Sequence, residues 1–287
     1  MSHRILIADD EPDIATVTKL SLKGLSFGKP LEFEAVSTGA EAVEAIRKRP
    51  DTSVLLLDVV MENQTAGLDA CRTIRNELKN RFVRILLRTG QPGIAPERTA
   101  IEQYDIDGYL PKAELTTNRL YAAVRAALKS YDELIELDRH RSVLHLVHQS
   151  VLKLHSFEPI EVTLQHILTT AMAVAPSPLA ILNLMTMEES GAPRQWQLHV
   201  AEDGSDAEAR VADVMRRAPS GEGTFVPIQI HRNLGSGWIY VDRNIDDELS
   251  RSALALLASH ASNALYSSVA QAILSTRERP FYDSLIV

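Results

Sequence analysis

Ile5-Leu6-Ile7-Ala8-Asp9-Asp10-Glu11-Pro12 is an apolar run that breaks into three consecutive acids and a proline. So short a run, closed by charge, predicts a buried strand ending just before Asp9. The pattern recurs down the first half of the chain. Strands are expected at Arg4 to Ala8, Leu31 to Val36, Ser53 to Leu57, Val83 to Arg88 and Asp107 to Leu110, with amphipathic helical stretches between them. Apolar strands alternating with helices mark a parallel sheet covered on both faces, so residues 1–130 are read as a five-stranded, doubly wound α/β domain.

In such a sheet the functional crevice lies beyond the carboxyl ends of the strands. The residues there are Asp9-Asp10-Glu11 after strand one, Asp58 after strand three, Thr89-Gly90 after strand four and Pro111-Lys112 after strand five. Carboxylates converging on one edge repel each other unless a cation sits among them. A hard divalent ion, Mg²⁺ or Mn²⁺, takes a few carboxylate oxygens plus water, so the charge pattern implies a metal.

The ordered set Ile5 to Pro12, Leu55-Leu56-Leu57-Asp58-Val59-Val60-Met61, Thr89 and Lys112 resembles the receiver domain of bacterial two-component response regulators. That resemblance implies that Asp58 is the nucleophile that accepts a phosphoryl group from a histidine kinase or phosphotransfer protein. It further implies that Asp10, Asp58 and the main-chain carbonyl of Val60 hold the metal, with Asp9 acting through water. Thr89 and Lys112 would ligate the phosphoryl group, and Thr89 with Tyr109 would form the conformational switch. A phosphoryl group in flight spreads negative charge over its oxygens, so cations and donors placed in advance are what the chemistry requires. The chain departs from the family pattern in three places. Gly90 stands where a residue such as Ala is customary, Ala113 replaces a customary Pro after the lysine, and the loop Met61 to Gly67 lacks its Pro and is longer before its Gly.

From about Leu115 a helical pattern without Gly or Pro runs to Glu158, with apolar residues at Leu120, Val124, Ala127, Tyr131, Leu134, Leu137, Leu144, Val147, Val151 and Leu154. Spacings of three and four are those of a coiled-coil seam, so residues 115–156 are read as a helical connector and a homodimer contact. His140, His145, His148 and His155 lie along it, outside any Glu-Leu-Arg-Thr-Pro context of the kind that surrounds a phosphotransfer histidine, and are read as solvated or interhelical.

Residues 140–287 read helix, helix, strand, strand, helix, hairpin, helix, with strands at Leu179 to Met187, Gln195 to Ala201, Thr224 to Ile230 and Gly237 to Asp242, a turn at Arg232-Asn233-Leu234-Gly235, and a closing helix from Asp246 to Ser275 that Pro280 ends. The segments Gly237 to Asp242 and Ala253 to Tyr266 resemble a GAF-type sensor or output domain, an α+β fold, of the kind that follows the receiver in some HD-type cyclic-di-GMP phosphodiesterase regulators. A haem there would need His199, His231 or His260 as axial ligand. A thioether-linked bilin is excluded, because the single cysteine, Cys71, lies in the first domain.

A net charge of -8 argues against binding nucleic acid, which needs clustered Lys and Arg. One cysteine and an N-terminus without an apolar leader are expected of a cytoplasmic protein. The uncharged stretch Ile167 to Met187 is long enough to span a bilayer, but Pro176 and Pro178 break it, so no membrane segment is expected. The function these features imply is a response regulator, not an enzyme, whose GAF-like output acts on an unidentified downstream protein. The alternatives are a regulatory subunit docking onto a cyclic-di-GMP phosphodiesterase or cyclase, and a ligand-sensing GAF protein.

Overall fold

The computed structural model describes residues 2–24, 28–90, 97–154, 159–187, 192–201, 207–217, 222–231 and 234–283, the last fourteen of these as helical path alone. His155, Glu158 and the turn residues Arg232-Asn233 lie outside the described residues. The chain divides into two compact units, Met1–Asp138 and Arg139–Val287.

The first unit alternates β1 (His3–Ala8), α1 (Pro12–Ser21), β2 (Leu31–Val36), α2 (Gly39–Lys48), β3 (Val54–Asp58), α3 (Ala66–Arg72) with a π-helical turn (Thr73–Glu77), β4 (Arg84–Thr89), α4 (Glu97–Tyr104), β5 (Gly108–Pro111), a 3-10 turn (Lys112–Glu114) and the start of α5 (Thr117–Leu154). The strands form one sheet in the order β2-β1-β3-β4-β5, every pair parallel. Side chains alternate across it. Leu6, Ala8, Leu55 and Leu57 enter one cluster with Ala42, Ile46, Cys71 and Ala100, while Ile5, Ile7, Val54 and Leu56 enter another with Leu22, Leu120, Val124 and Leu128. β3 is buried at every position, as a central strand covered on both faces must be. At the edge, β2 is only half-covered, through Leu31, Phe33 and Val36, and presents Glu32 and Glu34, both paired with Arg4. Local signals agree with this plan. Pro12 opens α1, and the Thr38 hydroxyl caps α2 by accepting from the Glu41 N–H at 3.1 Å.

The second unit contains the end of α5, α6 (Ile160–Val174), β6 (Leu179–Met187), β7 (Pro193–Ala201), α7 (Ala207–Arg217), β8 (Thr224–Ile230), β9 (Gly235–Val241) and α8 (Glu248–Asp283). Its sheet is antiparallel with strand order β7-β6-β9-β8. Leu182, Leu184, Ile239 and Val241 of one face pack with Leu164 and Ile167 of α6 and Leu257 and Leu265 of α8. On the other face Leu179, Ile181 and Tyr240 meet Val211 and Val214 of α7. The uncharged stretch Ile167 to Met187 thus resolves into the end of α6, a turn and β6, and no helix among the described residues is long and apolar enough to cross a membrane. α8 continues past Pro280, its expected end, because a proline removes one helical N–H bond without undoing the others.

α5 explains the apolar stripe differently from a coiled-coil seam. Leu120, Val124, Ala127 and Leu128 are buried in the first unit's core, and Val143, Val147 and Leu154 in the second's. Leu137 and Leu144 are the exposed remainder, at 65% and 59% exposure. Periodicity of three and four records that a helix face is covered; what covers it is set by the rest of the chain.

Candidate functional site

Parallel register brings the carboxyl ends of β1, β3, β4 and β5 to one edge, with Asp58 beside Arg88 and Thr89 beside Pro111. Asp9 and Asp58 are buried there and Asp10 is exposed. Each of the three can offer a carboxylate oxygen to a common point, these oxygens lying within 4.8 Å of one another. Lys112, first residue after β5, donates from Nζ to Asp58 Oδ2 at 2.6 Å, and lies 3.3 Å from Asp9 Oδ2 and 3.4 Å from Glu11 Oε1. Asp58 Oδ1 is buried with no hydrogen-bond partner. A buried carboxylate oxygen without a donor is costly, and an oxygen-seeking cation held by the three acids would remove that cost. The donor set therefore fits a hard divalent ion.

Burial pushes the Asp58 carboxyl above the ordinary carboxylate range, and neighbouring Asp9 pushes the same way, against the opposing pull of Lys112. Burial alone would lower the Lys112 ammonium, but Asp58 and Asp9 outweigh it and hold the pKa above its ordinary value. Lys112 is thus a secure cation. Thr89 ends β4 and is buried, and Tyr109 on β5 is buried with the α4-side cluster that includes Ala100 and Ile106.

Residues 5–125 match the family model described as the response regulator receiver domain. The first unit is a response-regulator receiver domain. Over 148 residues, 51% of this chain and 28% of the relative, it is 42% identical to the 3'3'-cGAMP-specific phosphodiesterase 2 of Vibrio cholerae. It is 27% identical over 135 residues, 46% of this chain and 54% of the relative, to the DNA-binding response regulator MtrA of Mycolicibacterium smegmatis. A solved response regulator receiver domain protein from Clostridium thermocellum covers 46% of this chain, with 98% of its own length aligned, 22% identity and a TM-score of 0.39. The chain thus spans about a quarter to a half of the length of these two curated relatives. The first of them overturns the expectation that the protein is not an enzyme, since a phosphodiesterase carries a region this similar to it.

The longer loop after Asp58 has a local explanation. Glu62 turns away from the acids and accepts the Gly39 N–H at 3.0 Å, tying the β3–α3 loop to the amino end of α2, where a helix favours negative charge. Within that loop Asn63 Oδ1 accepts the Thr65 N–H at 2.8 Å, and the Met61 N–H reaches Asn63 O at 3.2 Å, so the added residue closes a turn on itself. Gly67 lies so close beneath the site that a Cβ there would sit 2.0 Å from Asp58 O. Position 90 is roomier. A Cβ on Gly90 would meet only the Lys112 Cδ, at 3.9 Å.

The receiver also holds a charged residue that the sequence pattern conceals. Arg88, buried at 2% exposure, donates to Asp9 Oδ2 and to Thr18 Oγ1, both at 2.9 Å. Its signal is the second arginine of the strand Arg-Ile-Leu-Leu-Arg-Thr, which reads as a strand-end cation until burial is known. His231 Nε2 bonds Asn263 Oδ1 at 3.1 Å, and Asp9, Asp10 and Asp58 are the only group of three or more potential metal-ligating side chains found among the described residues.

Proposed function

We propose that the receiver accepts a phosphoryl group on Asp58 from the phosphohistidine of a histidine kinase or phosphotransfer protein. The observation that carries this reading is Asp58 itself, buried, with one oxygen on Lys112 at 2.6 Å and the other without a partner. An Asp58 oxygen forms the new bond to phosphorus as the bond from phosphorus to the donor histidine breaks. Asp9, Asp10, Asp58 and the Val60 carbonyl would hold Mg²⁺ or Mn²⁺, which when bound supplies positive charge to the phosphoryl oxygens. Lys112 supplies a second positive charge from the β5 side, and the Thr89 hydroxyl a donor from β4. Lys112 stabilises the carboxylate before transfer and is released to the new phosphoryl oxygens after it. Thr89 and Tyr109 on neighbouring strands are the pair through which the modified state would reach the α4–β5 surface and α5. A GAF-like second unit, dimerising through the exposed Leu137 and Leu144, is the output this reading assigns to residues 140–287.

Labelling from acetyl phosphate tests it. Asp58→Asn should take up no label and chelation of divalent ions should abolish uptake by the native chain; full labelling in either case would refute the assignment.

The 42% identity to a 3'3'-cGAMP-specific phosphodiesterase supports a second reading, in which the receiver governs hydrolysis of a cyclic dinucleotide by its own polypeptide or a partner. Hydrolysis of 3'3'-cGAMP should then change when beryllofluoride occupies Asp58. Unaltered turnover with Asp58 loaded would sink this reading and leave the first intact.

A further inference from the structure

β4 carries an arginine at each end, and the two are used differently. Arg84, at the amino end, pairs with Asp107 Oδ1 at 2.6 Å, remote from the acids. Arg88, at the carboxyl end, stands among them. Its main-chain carbonyl accepts the Val59 N–H at 3.0 Å, next to Asp58, while its guanidinium spans Asp9 and the Thr18 hydroxyl of α1. One residue therefore pins the backbone beside one pocket acid and the side chain of another.

The three acids are unequal as a result. Asp9 Oδ2 is taken by Arg88 and Lys112, and Asp9 Oδ1 accepts the Glu11 N–H at 3.1 Å. Asp58 keeps one oxygen without a partner and Asp10 is exposed. Stability is a poor reason for such a residue. A buried arginine-carboxylate pair gives little net stabilisation over apolar side chains of similar size, and Arg88 Nε is left buried without an acceptor.

We propose that Arg88 is a positioning residue of the metal site, a fixed internal cation that fastens Asp9 and lowers the pocket's affinity for a divalent ion. This rests on the reading of Asp9, Asp10 and Asp58 as that site. An arriving ion meets a carboxylate already balanced by a guanidinium, and the guanidinium's own charge opposes it across a poorly screened interior. The receiver keeps its acids together without the ion and binds the ion more weakly than three free carboxylates would.

The test is titration of the full chain with Mn²⁺, read by the paramagnetic resonance of free ion, in the native protein and in Arg88→Met and Arg88→Lys. Arg88→Met should bind Mn²⁺ about tenfold tighter, and its melting midpoint should rise more on adding Mg²⁺ than that of the native chain. Arg88→Lys retains the charge and should stay within about threefold of native. A folded Arg88→Met that binds no more tightly than the native chain overturns the proposal. If Arg88→Met does not fold, the neutral Arg88→Gln, able to hydrogen-bond Asp9, is expected to show the tighter binding, and native-like binding there overturns it equally. Absence of saturable Mn²⁺ binding by the native chain would overturn both this inference and the metal reading beneath it.

Discussion

Asp58 in the receiver and Asp242 in the second unit are the same residue type, each at the carboxyl end of a strand and each beside a cation. Asp242 is matched on both oxygens: Oδ1 accepts the Tyr240 hydroxyl at 2.5 Å and Oδ2 the Arg210 guanidinium. Asp58 is matched on one oxygen, by Lys112. Burial raises both carboxyls, but at Asp242 the Tyr240 and Arg210 contacts outweigh it and hold the pKa below the ordinary range, whereas at Asp58 burial wins. A carboxylate with both oxygens engaged is a fastening between elements. On the proposed reading, one with an unpartnered oxygen beside an ammonium is available for bond formation, and it is the missing partner that marks the site.

The largest effect that would test this contrast, after loss of Asp58 itself, is at Lys112. Lys112→Ala should slow phosphoryl uptake from acetyl phosphate about 100-fold, the usual consequence of losing one preorganised charge in such a site. An initial rate within threefold of native would place Lys112 with Arg210, as a fastening only.

Gly67→Ala follows. The added methyl would press on the Asp58 carbonyl, and overpacking of this kind costs about 1–3 kcal/mol. The loss should appear in urea unfolding together with slower uptake, since the strained backbone is the nucleophile's own. Strain that lowered stability while leaving uptake untouched would show that the Asp58 main chain tolerates displacement.

Tyr240→Phe is the converse case. Removing the hydroxyl from a charged carboxylate should cost about 1.5 kcal/mol of stability, with no change in phosphoryl uptake. Its pH dependence has a fixed sign. Because the folded Asp242 carboxyl lies below its ordinary pKa, its contribution is full above the ordinary carboxylate range and is lost as pH falls through the folded value. The gap between native and variant melting midpoints should therefore narrow in acid; a constant gap would mean the hydroxyl acts through Glu222 O instead.

The sheet and the convergent residues were legible because each depends on short-range pattern. An apolar run closed by acids marks a strand end, and the parallel topology then brings Asp9, Asp10, Asp58, Thr89 and Lys112 to one edge. Strand limits such as Val54–Asp58 differ from expectation by a residue, since pairing continues until the chain turns. Two features lay beyond such reading. Arg88 is identified by what it reaches, 70 and 79 residues away along the chain at Thr18 and Asp9. The α5 stripe looked the same whether its partner was another chain or its own two cores, because a hydrophobic repeat encodes burial without naming the occupant.

The smallest expected effect is at Gly90, and it bears on what the free Asp58 oxygen faces. Neither backbone nor space among the described residues demands glycine there: its φ lies outside the left-handed region, and a Cβ would make an ordinary contact with Lys112. Gly90→Ala should therefore stabilise the receiver by about 0.4–1 kcal/mol, through the narrower conformational range of the unfolded chain, and leave uptake within twofold. The combination matters more than either number. Stabilisation together with a tenfold loss of uptake would mean that the space above Lys112 is occupied during transfer, by the phosphoryl group or by the lysine as it leaves Asp58. The open side of the site would then lie between β4 and β5, and the glycine would be part of the chemistry rather than a neutral departure from the family pattern.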